Sequence, residues 1–125
     1  MTEVKKIMLV DDDADLINLL KIKLEKTGRY KVVYTTNGIR AQKMAQQESP
    51  DLIICDIDMP DMDGGEVKLA LSENEQTRDI PVLFHSSLVS KSDVARSGGI
   101  IGGKQMISKS AEIKELITRI ESLIQ

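Results

Sequence analysis

Pro50-Asp51-Leu52-Ile53-Ile54-Cys55-Asp56-Ile57-Asp58-Met59-Pro60-Asp61-Met62-Asp63-Gly64-Gly65 decides the fold. It runs apolar from Leu52 to Cys55 and then meets a carboxylate at Asp56. A short apolar run bounded by turn residues reads as a strand buried on both faces. Pro60 and the Gly64-Gly65 pair forbid continuation, so the strand ends near Asp56 and a loop follows. In open α/β sheets, ligands bind at this carboxyl edge.

A second apolar run, Ile7 to Val10, leads into Asp11-Asp12-Asp13. If the two strands are parallel neighbours, Asp11, Asp12 and Asp56 meet at one rim. Two carboxylates about 5 Å apart repel by roughly 3 kcal/mol at an effective dielectric of about 20. Such a cluster holds a proton, pairs with a base or binds a cation. Hard oxygen donors on loops suit Mg²⁺, or Mn²⁺ in its place.

Working outward, strand and helix patterns alternate five times. A helix from Asp13 carries Leu16, Ile17, Leu20 and Leu24, with Asp13 as its cap and Gly28 past its end. Val32 to Tyr34 reads as a strand, and a helix from Thr36 or Asn37 follows, ended by Ser49-Pro50. Gly65 to Ser72 is a third helix. Pro81 to Phe84 begins a strand that ends in His85-Ser86-Ser87, and Ser90 to Arg96 is a short helix. Gly98, Gly99, Gly102 and Gly103 predict a mobile connection. Met106 to Ser108 is the fifth strand, ending at Lys109. Ile113, Leu116, Ile117, Ile120 and Ile124 share one face of a last helix, which Ser110 is placed to cap. This alternation predicts an α/β fold: one doubly wound (βα)5 domain over residues 1–125. Its five-stranded parallel sheet takes the order 2-1-3-4-5, with helices on both faces.

Composition excludes several function classes. The chain has 125 residues and a net charge of −3, with no Trp, one Phe and two Tyr, which argues against direct nucleic-acid binding. No apolar run reaches the roughly 18 residues of a membrane span. The single Cys55 excludes an intrachain disulfide and reads as a packing residue in a reducing compartment, so the expected location is cytoplasmic. The lone His85 follows a strand and has no second His or Cys to make a metal site. Gly98 to Lys104 matches the start of a phosphate-binding P-loop, but Gln105 replaces the required Ser or Thr and a strand rather than a helix follows.

The chain resembles the response-regulator receiver domain of two-component signalling, in a stand-alone, chemotaxis-regulator-like form. The likeness rests on Asp11-Asp12 after the first strand, Asp56 to Gly64 after the third, Ser86 at the end of the fourth and Lys109 at the end of the fifth. It implies a phosphoacceptor switch rather than an enzyme, with at most slow self-dephosphorylation and no output domain. Asp56 takes a phosphoryl group from a sensor histidine kinase or phosphotransfer protein. Asp12, Asp56 and the main-chain carbonyl of Asp58 hold the cation, with Asp11 acting through a bound water. Ser86 and Lys109 bind phosphoryl oxygens, and their movement switches a surface formed by helix 4, strand 5 and helix 5. That surface would meet a downstream protein target or a second copy of the chain.

Two positions depart from the family's pattern. Ser110 replaces a customary Pro, making a cis bond unexpected. Met106 stands where an aromatic often swings inward. Asp58 and Leu88 occupy places where the family tunes hydrolysis. Two other readings compete: a degenerate receiver that only binds protein, and a small aspartate-nucleophile phosphatase. Asp56-Ile57-Asp58 resembles the D-x-D of the latter, although those enzymes place it after their first strand.

Overall fold

The computed structural model describes residues 3–124. In chain order the elements are β1 (Lys5–Val10), α1 (Ala14–Lys26), β2 (Tyr30–Thr35), a 3-10 turn (Gly38–Arg40), α2 (Ala41–Glu48), β3 (Leu52–Asp56) and α3 (Gly64–Ser72). They continue with β4 (Val82–Ser86), α4 (Lys91–Arg96), β5 (Ile100–Ile101), β6 (Lys104–Ser108) and α5 (Ile113–Leu123). The sheet order is β2-β1-β3-β4-β6-β5. The pairs β1–β2, β1–β3, β3–β4 and β4–β6 are all parallel.

The pleat of each strand divides the core in two. Ile7, Leu9, Leu52, Ile54, Leu83 and Ile107 pack with Ile17 and Leu24 of α1 and Leu116 and Ile120 of α5. Met8, Val10, Ile53, Cys55, Phe84 and Met106 pack on the other side with Ala41 and Ala45 of α2 and Val67 and Leu71 of α3. Burial on both faces is why these strands are continuously apolar rather than alternating. β3 is buried along all five residues, so its last side chain, Asp56, is carried to the rim by a rigid core.

Local chemistry starts the helices. Asp13 Oδ1 accepts the N–H groups of Asp15 and Leu16 at 3.1 Å each, capping α1 as expected. Asp63 and Glu66 form a reciprocal capping box, so α3 begins at Gly64, one residue earlier than the glycine pair suggested. A second box joins Ser90 and Asp93 at the start of α4. Asn37 caps the 3-10 turn rather than α2, which begins only at Ala41.

Three expectations need correction. The sheet has six strands, not five, and its edge is antiparallel: β5 turns back onto β6 through Gly102-Gly103. The glycines expected to make a mobile connection instead make a hairpin. Gly102 and Gly103 have φ of +59° and +77°, the positive values that a tight two-residue turn demands of both central positions. Arg119 of α5 holds this hairpin, donating to the carbonyls of Met106 at 2.7 Å and Gly99 at 3.1 Å and to Gln105 Oε1 at 2.9 Å. Ser110 also does not cap α5. Glu112 occupies the cap position without a side-chain bond, while Ser110 Oγ lies 2.8 Å from Ser108 Oγ. The described residues contain no cis peptide bond. No described helix is long and apolar enough to cross a membrane.

Candidate functional site

The carboxyl ends of β1, β3, β4 and β6 deliver one residue set to one rim. Asp11 continues the Ile7–Leu9 side of β1, Asp56 the Leu52–Ile54 side of β3, and Lys109 the Ile107 side of β6. Asp11 and Asp56 are each 5% exposed, while Asp12 is open to solvent. One carboxylate oxygen from each of Asp11, Asp12 and Asp56 lies within 4.8 Å of the other two.

Lys109 reaches back over this cluster. Its Nζ lies 2.9 Å from Asp11 Oδ2 and 3.5 Å from Asp56 Oδ1. Its nearer partner is therefore Asp11 rather than Asp56. Asp11 is oriented from its other oxygen, which accepts the Asp13 N–H at 2.9 Å. Asp56 Oδ1 accepts the Asp58 N–H at 3.3 Å. The Lys109 N–H donates to Ser86 O at 2.8 Å, tying the two strand ends together. Ser86 is buried, and its Oγ accepts the Leu88 N–H at 3.0 Å. Asp58 and Leu88 are exposed beside the rim, and Met106 is buried in the core.

The charges are unequal in cost. Burial, then the Asp11 carboxylate, pushes the Asp56 pKa up to about 6, against the pull of the Asp58 N–H and Lys109. Burial works against the Lys109 charge, yet the Asp11 and Asp56 carboxylates outweigh it and hold its pKa above the usual lysine value. His85 pairs in register with Asp56. Burial, then Lys109, lowers its pKa to about 4, so the ring is neutral at pH 7. Burial and the nearby carboxylates push the Cys55 thiol up, leaving it inert as a nucleophile.

A pH dependence follows for the metal-free chain. The folded state holds the Asp56 proton more tightly than the unfolded chain between about pH 4 and 6. This group's contribution to stability is therefore full below pH 4 and is lost as pH rises through 6. A shift of two units is worth at most roughly 3 kcal/mol. Melting in the presence of a chelator should occur higher at pH 5 than at pH 7, and Asp56→Asn should remove that difference. An equal difference in the variant would assign it to other groups.

The donor set is all hard oxygen, with no thiolate and a neutral, buried imidazole to the side. Three carboxylates this close suit a small divalent cation that keeps part of its water, and are a poor match for zinc. The Response regulator receiver domain profile matches residues 7–121. The chain belongs to the response-regulator receiver family.

Two curated relatives differ in length. Against the DNA-binding dual master transcriptional regulator RpaA of Synechocystis, the receiver is 34% identical over 96% of this chain but only 49% of RpaA. It thus spans about half of that relative. Against the polar-differentiation response regulator DivK of Brucella anthropi it is 32% identical over 96% of each. Among solved structures, the BeF3-activated N-terminal receiver domain of Klebsiella pneumoniae RstA superposes with a TM-score of 0.77 at 28% identity. That match covers 96% of this chain and 98% of RstA's. Receivers of this family are phosphoacceptor switches. They bind Mg²⁺ at an acidic pocket and work between histidine kinases or phosphotransfer proteins and downstream targets.

Sequence reasoning placed the carboxylates, Ser86 and Lys109 at the rim by strand-end position. It missed two contacts within the Asp56–Gly64 loop: Asp61 accepts a hydrogen bond from Gly38, and the missing Cβ of Gly64 lets the chain fold back on Asp56. The Asp-Gly-Gly-Glu run after Met62 was the available signal for the capping box.

Proposed function

We propose that this receiver takes a phosphoryl group on Asp56 from a phosphohistidine of a kinase or phosphotransfer protein. The observation that carries the reading is the Lys109 ammonium lodged between Asp11 and Asp56, with Asp12 in range of both. An Asp56 carboxylate oxygen forms the new P–O bond, the P–N bond to the donor imidazole breaks, and the freed imidazole takes a proton from solvent. With a pKa of about 6, Asp56 is mostly ionised at neutral pH and available as the nucleophile. Asp12, Asp56 and the Asp58 carbonyl would hold Mg²⁺, with Asp11 joining through water. When bound, the ion neutralises charge on the transferring oxygens.

Lys109 then has a second anion to answer. Ser86 has its oxygen engaged by Leu88 and can turn its own hydroxyl proton to a phosphoryl oxygen. Both movements pull on β4 and β6 ends that are already joined through Lys109 N–H and Ser86 O. The loop after Ser86 leads to the Ser90 cap of α4, so the displacement reaches the face formed by α4, β6 and α5. A groove of about 310 Å³ lies on that face, lined by Lys91, Val94, Ala95, Glu115, Thr118 and Arg119. It offers a partner both charge and apolar surface. A near-complete change of state needs about 5.5 kcal/mol of differential stabilisation, within reach of several charge-assisted contacts.

The test is incubation with acetyl phosphate, with and without Mg²⁺, read by intact mass. A gain of one phosphate that a chelator prevents is the expected result. No gain under either condition would leave a receiver that only binds protein, and repeated turnover of a phosphate ester would point instead to a phosphatase.

A further inference from the structure

We propose that Asp61 is a positioning residue for the cation site, acting through the turn at Gly38; this rests on the reading of Asp11, Asp12 and Asp56 as cation ligands. The β3–α3 loop, residues 57–63, carries Asp58 and has to keep one shape if its main chain is to serve an ion. Two closures hold it. At its base, the Gly64 N–H donates to Ile57 O at 2.9 Å. A Cβ on Gly64 would lie 2.8 Å from Ile57 Cα and 2.9 Å from Asp56 O, so only glycine permits this approach. On its flank, Asp61 Oδ2 accepts the Gly38 N–H at 3.1 Å. A Cβ on Gly38 would lie 2.9 Å from Met62 O and 3.1 Å from Met62 Cβ, a second contact that only glycine allows.

The Gly38 turn also touches the other half of the site. The Thr35 carbonyl, three residues earlier, accepts the Asp11 N–H at 3.3 Å. Between them the chain is stiffened locally: the Asn37 N–H donates to Thr35 Oγ1 at 3.1 Å, and Asn37 Oδ1 accepts the Ile39 N–H at 2.8 Å. Thr35 to Gly38 is thus a brace. One end bears on the loop of Asp11 and Asp12, the other on the loop of Asp58 and Asp61. Asp61 itself is exposed and outside the carboxylate cluster, so its influence on the ion runs through this geometry. Groups that orient metal ligands from outside the coordination sphere matter because a misplaced donor costs affinity without unfolding the protein.

Mg²⁺ affinity of the full chain, measured by calorimetry, separates the possibilities. Asp61→Ala should weaken Mg²⁺ about tenfold while the metal-free melting temperature moves by no more than about 3 °C. Asp61→Asn keeps an oxygen acceptor for the Gly38 N–H and should return the affinity to within about twofold of wild type. Gly38→Ala, which displaces Met62 directly, should weaken Mg²⁺ as well. The brace is overturned if Asp61→Ala binds Mg²⁺ within about twofold of wild type. It is equally overturned if Asp61→Asn is as weak as Asp61→Ala, which would assign the effect to charge, or if Asp61→Ala loses the fold. A wild-type chain without Mg²⁺ affinity overturns the cation reading and the brace together. Normal wild-type binding with an unaffected Asp61→Ala overturns the brace alone.

Discussion

Asp56→Asn is expected to take up no phosphoryl group from acetyl phosphate under conditions that load the wild-type chain. An amide oxygen is a far weaker nucleophile than a carboxylate, and no neighbour is placed to substitute for it. Asp11 is engaged at both oxygens, by Lys109 and by the Asp13 N–H. Asp12 is exposed, outside the core that fixes Asp56 at the end of β3. A loss of labelling of at least a hundredfold is therefore expected by intact mass. The same variant should be more stable than wild type at pH 7 without metal, because it removes a buried charge whose pKa burial and Asp11 hold near 6. Undiminished labelling would move the acceptor to another carboxylate and end the assignment of Asp56.

Lys109→Ala is expected to give the largest stability loss of the site substitutions, and a conditional one. Lys109 is the sole cation within salt-bridge distance of Asp11 or Asp56 among the described residues, and both aspartates are 5% exposed. Removing one partner of a fully buried ion pair costs roughly 3–5 kcal/mol. The Lys109 side chain is 20% exposed, so water screens part of the interaction. About 2 kcal/mol is then expected, or roughly 8 °C in melting temperature for a chain of this length. Saturating Mg²⁺ should recover much of the loss, since a divalent cation answers the same carboxylates. Thermal melting of wild type and variant, each with chelator and with Mg²⁺, gives the four values needed. A variant that melts with wild type in chelator would show that the bridge carries little. An equal loss in both conditions would trace the effect to packing of the lysine stem rather than to its charge.

What the sequence determined by itself is the order of the five parallel strands and the helices between them, and the residues at the sheet's rim. Those are local or periodic properties. Leu52 to Cys55 is apolar at every position because the strand is covered on both faces; Asp11 and Asp56 directly follow such runs, and Ser86 and Lys109 stand at the ends of the next two strands. A parallel alternating fold sends all strand ends of that kind to one edge, so their convergence was legible before any coordinates. Tertiary structure alone decided how the charges pair and how the loops are tied. That Lys109 sits nearer Asp11 than Asp56 depends on ångström differences among strands far apart in sequence. The glycines at 98–103 fit either slack or a tight hairpin; the positive φ values at Gly102 and Gly103 and the reach of Arg119 from α5 chose the hairpin. Ser110 lost the cap of α5 because the helix begins only at Ile113, which puts Glu112 at the cap position and leaves the Ser110 hydroxyl to meet Ser108. Gly38 and Asp61 lie 23 residues apart, and no periodicity joins them. Their contact exists because two loops are pressed together closely enough to exclude a Cβ, and such closeness is a property of the packed fold.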